Sequence, residues 1–218
     1  MSVLALVLAA SLAPASPAAS SVTRTLRLDY FHTGNATEEH FSLDGLALEG
    51  AWPGPLDRTL DDTNLGKYLF EIIDRSSNRA LYSRGFASIY GEWETTPEAS
   101  EQRRTFHESL RFPLPAGPVQ VVVKKRGRAN AFQQVWSVLV DAADPAVDRT
   151  GPASNVKLWA VMKNGEPKDK VDLLLLGDGY TAAEMEKWHQ DAKRLADLLF
   201  GTSPFKERKS DFNVWAVD

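Results

Sequence analysis

The 218-residue chain contains no cysteine. Disulfide bonds, thiolate nucleophiles and cysteine-ligated zinc or iron–sulfur centres are therefore excluded, and an exported form would rely on its core alone. Histidine is scarce. The four are His32, His40, His107 and His189, and no two stand four apart. The helical His-Glu-x-x-His pattern, which supplies two zinc ligands and a general base, is thus missing. Excess positive charge is missing too. With 25 Lys and Arg against 29 Asp and Glu the net charge is -4, which gives a nucleic-acid partner no electrostatic footing. The apolar run Val3 to Leu12 is too short to span a bilayer, which takes ~20 residues.

That run and the Ala-, Pro- and Ser-rich stretch Ala13 to Ser21 do have the form of a secretory signal. Small residues at Ser16/Ala18 or Ala18/Ser20 suit a signal peptidase, although no Lys or Arg precedes the run. The expectation is a signal peptide over 1–20 and a secreted or periplasmic protein. A low-complexity tail is the alternative.

From Val22 to Val140 the dominant pattern has period two, the mark of strands with one buried face. Leu26, Leu28 and Tyr30 alternate with Arg27 and Asp29, and Phe41 and Leu43 flank Ser42. Tyr68, Phe70 and Ile72 share a face, as do Phe106, Leu110 and Phe112, and Val119, Val121 and Val123. Phe132, Trp136, Val138 and Val140 form the last such set. Turn signals such as Trp52-Pro53-Gly54-Pro55 and Ser76-Ser77-Asn78 separate the runs. Many short strands without a long helix predict a mainly β protein, an antiparallel β-sandwich over 22–142. Residues 143–155, polar and containing Pro145, Gly151 and Pro152, read as a linker.

The pattern then changes. Val171 to Leu176 is nearly all apolar, as in a parallel-sheet strand covered on both faces. Gly177-Asp178-Gly179-Tyr180 makes a tight turn, and Thr181-Ala182-Ala183-Glu184 matches a capping box at a helix start. Met185, Trp188, Leu195, Leu198 and Leu199 follow at helical spacing, and Phe212 to Val217 reads as a second strand. One β-α-β unit cannot cover Leu173 to Leu176 on both sides, so residues 156–218 are expected to be an incomplete α/β segment. Its apolar stripe, including Met185 and Leu195, is expected to leave an exposed patch.

Few residues suggest chemistry. His32 and His40 flank Glu38 and Glu39 in what reads as a loop, so a metal is conceivable, but a solvated loop is favoured. His189 reads as a surface position. Asn35-Ala36-Thr37 is a glycosylation sequon, meaningful only in a eukaryotic secretory pathway. Lys124-Lys125-Arg126-Gly127-Arg128 is read as a solvated hairpin tip. The turn Gly177 to Ala182 has the G-x-G-x-x-A form of a dinucleotide fingerprint. Against that, Asp178 sets a carboxylate where phosphates would sit, and Asp218 is about twice as far along as the usual ~20-residue acid. Two other readings stay open: a purely structural turn, or a cleft lined by Asp178, Gly179 and Tyr180 at the carboxyl end of a strand.

The run Lys170 to Thr181, the helix to Phe200, Ser203-Pro204-Phe205-Lys206-Glu207 and Asp211-Phe212-Asn213-Val214-Trp215 resemble the start of the catalytic domain in bacterial metallopeptidase family 64, the IgA-peptidase type. The preceding β region is similar to that family's N-terminal domain in pattern and position. The resemblance implies an exported zinc endopeptidase with zinc on a His-Glu-x-x-His helix whose Glu activates the bound water. That helix would lie beyond Asp218, so no catalytic, cofactor-binding or metal-ligating residue is assigned here, and the chain by itself is expected to be inactive. The implied partners are its own downstream catalytic domain and a protein substrate, with no nucleic acid and no membrane span. The rival readings are a stand-alone extracytoplasmic binding module and a nucleotide-binding α/β enzyme fragment.

Overall fold

Alternating apolar residues between Arg24 and Val140 build seven strands in two antiparallel sheets. They are β1 (Arg24–Gly34), β2 (Glu39–Ala51), β3 (Tyr68–Asp74), β4 (Ala80–Phe86), β5 (Arg104–Pro113), β6 (Val119–Arg126) and β7 (Phe132–Val140). The computed structural model describes residues 23–151 and 156–218, so the expected signal peptide and part of the expected linker lie outside the described residues. One sheet has the order β2-β1-β5 and the other β4-β3-β6-β7. Their facing sides meet in one core: Leu26, Leu28 and Tyr30 with Leu110 and Phe112 from the first, Tyr68, Phe70, Ile72, Val119, Val121 and Val123 from the second. These are the positions that the period-two pattern predicts, because side chains two apart on a strand share a face.

Leu43 departs from expectation. Asp29 pairs with Gly45 but Tyr30 pairs with Leu43, so Asp44 is an extra residue in β2. The bulge shifts the parity of the strand. Phe41 packs on the core, and after the bulge Leu46 and Leu48 do so, whereas Leu43 is 41% exposed.

Between β4 and β5 the chain crosses from one sheet to the other through residues 87–103, which hold two helices the sequence pattern did not reveal. They are α1 (Ile89–Trp93) and α2 (Glu98–Glu101). Both are too short to show periodicity. Ser88 caps α1, its hydroxyl accepting from the Gly91 amide at 2.8 Å. Tyr90, Trp93 and Ala99 form a small core of their own with Phe106.

The stretch read as a linker is ordered against the sandwich as far as Arg149. Val147 is buried in the main core, and Asp148 exchanges backbone hydrogen bonds with β2: its carbonyl accepts from Leu48 at 2.7 Å and its amide donates to Leu46 at 2.8 Å. The Arg149 guanidinium donates to the carbonyls of Ala142 and Val147, satisfying a chain reversal that lacks regular structure.

Residues 156–218 form a separate three-stranded sheet: β8 (Leu158–Met162), β9 (Val171–Leu176) and β10 (Phe212–Val217) with α3 (Met185–Leu199). The order is β8-β10-β9, with β10 parallel to β9 and antiparallel to β8. The predicted β-α-β unit is present, and β8, a five-residue run that the sequence pattern did not reveal, joins it. Glu184 accepts from the Thr181 amide at 3.0 Å and its hydroxyl at 2.8 Å, so the capping box forms where it was expected. The helix lays Trp188, Ala192 and Ala196 on Val214, Ala216, Leu173 and Leu175. On the other face Leu158, Leu174 and Leu176 are more than half exposed. Among the described residues, then, β9 is covered on one side. Of the stripe expected to be bare, Leu195 is exposed, while Met185 packs beside Trp188.

The register makes a direct prediction. Leu28→Ala should cost about 2–5 kcal/mol in urea denaturation, as for a core truncation that leaves a cavity. Leu43→Ala, on an adjacent strand but exposed, should stay within about 0.5 kcal/mol of the parent.

Candidate functional site

The densest group of ionisable side chains lies inside the sandwich, around His32. A short turn sets it up. Asn35 accepts from the amides of Thr37 and Glu38, both at 2.9 Å, and this closes the β1–β2 hairpin with His32 opposite Phe41. On β1 the inward positions are even-numbered, so His32 extends the row of Leu26, Leu28 and Tyr30 and is 0% exposed. The loop reading of His32 and His40 is therefore corrected: His32 belongs to β1 and His40 to β2, and only the turn between them is loop. The signal was available, since the alternation that ends at Tyr30 simply continues to His32. Likewise Glu108 sits between Phe106 and Leu110 on β5.

The imidazole is held on every side. Nε2 lies 3.0 Å from a Glu39 oxygen and Nδ1 lies 3.3 Å from a Glu108 oxygen. The ring is stacked between Phe41 and Tyr90, with centroids 4.0 and 3.8 Å away. Tyr30 donates to Glu108 and Tyr68 to Glu39, each at 2.8 Å. Glu108 also accepts from the Tyr90 amide at 3.2 Å. Lys125 pairs with Glu39 at 3.0 Å and with Glu94 at 2.9 Å, and Lys67 pairs with Glu94 as well.

This overturns the view of Lys124 to Arg128 as a solvated tip. Lys125 is drawn inward, Lys124 pairs with Glu71 at 2.7 Å, and Arg126 donates to the Gly66 carbonyl while lying 4.2 Å over the Phe132 ring. The β6–β7 hairpin turns only after Arg126, so most of the cluster is strand with partners on β3 and beyond.

Burial alone would lower the His32 pKa, but hydrogen bonds from the ring to Glu108 and Glu39 outweigh it and the net direction is up. Burial would raise Glu39, yet His32, Lys125 and Tyr68 pull it down to about 2. Glu108 is likewise lowered against burial by His32 and Tyr30. The Tyr30 and Tyr68 phenols are pushed up, first by burial and then by the carboxylates they face. Both directions favour an imidazolium between two carboxylates.

The other histidines lie apart from this cluster. His107 pairs with Asp44 at 3.0 Å on the outside of the sandwich, and His40 is exposed. His189 is not a bare surface position: its Nε2 lies 2.6 Å from Asp218 and its ring packs 4.4 Å from Trp159. In the β9–α3 turn, Gly179 takes φ +82°, a conformation that favours glycine. A Cβ on Gly177 would stand 3.0 Å from the Trp188 indole, so this glycine lets the turn close on the helix. The Tyr180 hydroxyl donates to Asp191 at 3.0 Å and its ring packs on Trp188. Asp178 is exposed at the carboxyl end of β9.

An antiparallel sandwich followed by an α/β unit, with its main ionisable cluster centred on a buried histidine of the sandwich, is a protein of two distinct parts. Comparison with protein families divides it in the same way. Residues 19–137 match the family described as Peptidase M64 N-terminus, and residues 159–218 match IgA Peptidase M64. The chain belongs to the Peptidase M64 family. No curated protein matches it. The zinc that a metallopeptidase family implies does not fit the residues present. Among the described residues no three His, Cys, Asp or Glu side chains are grouped to hold a metal ion. His32 has neither ring nitrogen to spare, since each faces a carboxylate.

Two outcomes follow for the cluster. His32→Gln should cost about 3–5 kcal/mol in urea denaturation, the scale for leaving buried carboxylates without their cation. The pH dependence is two-sided. A raised histidine stabilises fully below its unfolded pKa of ~6.5 and loses that contribution as pH rises through the folded value. A lowered Glu39 stabilises fully above its unfolded value and loses its contribution as pH falls towards about 2. Stability measured from pH 3 to 9 should peak between roughly pH 5 and 6.5, and the His32→Gln variant should lack the alkaline decline.

Proposed function

We propose that this chain is the non-catalytic leading part of an exported M64 zinc peptidase: an accessory β-sandwich followed by the opening elements of the catalytic domain. The observation that carries the reading is the uncovered face of the β8-β10-β9 sheet. Leu158, Leu174 and Leu176 present apolar surface there while α3 covers the opposite face. Sheets containing parallel strands are stable when both faces are covered, so this surface suits a further layer of the same peptidase domain. Family membership supports the assignment of that layer to the peptidase.

In this reading zinc and the water-activating glutamate belong to the downstream catalytic part, which is the principal partner of this region. The sandwich orients and stabilises that part and helps to hold a protein substrate. Its internal charges contribute rigidity to this role and take no part in the chemistry. Asp178, Gly179 and Tyr180 follow the carboxyl end of β9, the position at which open α/β sheets bind ligands, and in this reading they border a cleft there. The run Val3 to Leu12 with its small-residue flank supports export.

The test is direct. The purified chain, supplied with zinc and a fluorogenic casein, should show no hydrolysis above a protein-free control. Cleavage that zinc restores and a chelator abolishes would refute the non-catalytic reading. N-terminal sequencing of protein recovered from culture medium should begin after Ala18 or Ser20; an intact Met1 on exported protein would remove the signal-peptide part.

A further inference from the structure

We propose that His32 is a protonation latch: its second N–H helps to keep the crossing segment, residues 87–103, docked on the sandwich, and loss of that proton loosens the segment while the two sheets stay folded. The argument begins with a count of donors. A neutral imidazole has one N–H, yet both ring nitrogens are aimed at carboxylate oxygens. Only the cation satisfies both.

The ionisable groups that face the ring come from every element around it. They are Tyr30 on β1, Glu39 on β2, Tyr68 on β3, Tyr90 on α1 and Glu108 on β5. Lys125 on β6, and Glu94 and Lys67 behind it, act through Glu39. The two carboxylates are not equivalent. Glu39 has the shorter contact to the ring, 3.0 Å, and holds its charge against Lys125 and Tyr68. Glu108 has the longer contact, 3.3 Å, and among the described residues no other cation within salt-bridge reach. The neutral tautomer therefore keeps its proton on Nε2 toward Glu39 and turns the Nδ1 lone pair on Glu108. Lone pair and carboxylate repel.

Glu108 has room to leave. It lines an open surface groove together with Tyr30, Phe86, Ser88, Ile89 and His107. Moving into that groove breaks its bond from the Tyr90 amide, the link between β5 and the first turn of α1. The Tyr90 ring loses its cationic stacking partner at the same step. What then holds the segment is the Tyr90 hydroxyl on the carbonyls of Asn35 and Glu38, Lys67 on the Gly91 carbonyl, the Ala36 amide on the Ala99 carbonyl, the pairs of Glu94 with Lys67 and Lys125 and of Arg103 with Glu38, and the small core of Tyr90, Trp93, Ala99 and Phe106, so the change is a loosening that starts at the first turn of α1. Tyr68 of β3 and Lys125 of β6 keep their bonds to Glu39, the carboxylate that retains its ring N–H, so these strands stay closed on the core of Phe70, Ile72, Val119, Val121 and Val123.

Hydrogen exchange of the full chain between pH 6 and 9, corrected for the intrinsic pH dependence of amide exchange, tests the latch. Amides of residues 90–102 should lose protection by up to roughly tenfold per pH unit through the His32 titration, while β3 and β6 keep theirs. The midpoint should coincide with that of the His32 ring followed by NMR. Glu108→Gln supplies a side-chain amide that can donate to a neutral Nδ1, so this variant should hold the segment across the whole range. Flat protection of 90–102 in the parent protein, a loss shared equally by β3 and β6, or a Glu108→Gln variant that opens as the parent does would each overturn the proposal. The parent series decides by itself should the variant not fold.

Discussion

A cation sealed inside a β-sandwich is stable only if every group around it stands in register. His32 has no contact with water, and its charge is balanced by carboxylates from the strands on either side of it, Glu39 of β2 and Glu108 of β5. A one-residue slip of either strand would turn its carboxylate to the outside and leave the imidazolium unpaired. The cluster thus constrains the three-stranded sheet as strongly as its apolar rows do. Through Tyr68 and Lys125 it also ties in the second sheet, and through Tyr90 the crossing segment. Burial of this kind is costly, and it is tolerated because both ring nitrogens and the carboxylates they face all have partners.

The two parts of the chain solve the problem of burial differently. In the sandwich each sheet covers the other, and one cluster of side chains from both sheets forms a shared interior. In the α/β unit the sheet has a helix on one side and bare leucines on the other. The β9–α3 connection shows why that half reads so clearly. Gly177 lets the strand approach the Trp188 indole, Glu184 secures the helix start, and Tyr180 is bound back to Asp191. Gly177, Gly179, Tyr180 and Glu184 thus each have structural work to do, which accounts for much of a distinctive local pattern.

Much of this architecture was legible from pattern alone. The core rows of β1, β3, β5 and β6 are those of the period-two alternation, and β9, α3 and β10 fall where the apolar run, the capping box and the final run place them. What was not legible involves contacts distant in sequence or elements too short for periodicity. Helices α1 and α2 and strand β8 are of the second kind. The bulge at Asp44, the return of Val147 to the core and the inward turn of Lys125 are of the first. Residues 143–149 look like linker because they are polar, yet they run beside β2, which has a free edge to receive them.

The sequence by itself determined the fold class, because side-chain alternation and local caps depend only on neighbours along the chain. It also excluded thiol chemistry and any His-Glu-x-x-His helix within these residues. Only the tertiary structure decided that His32 is a buried residue held between two carboxylates and not part of a solvated loop. Its two carboxylates lie 7 and 76 positions away along the chain, and only the pairing of β1 with β2 and β5 brings them to the same ring.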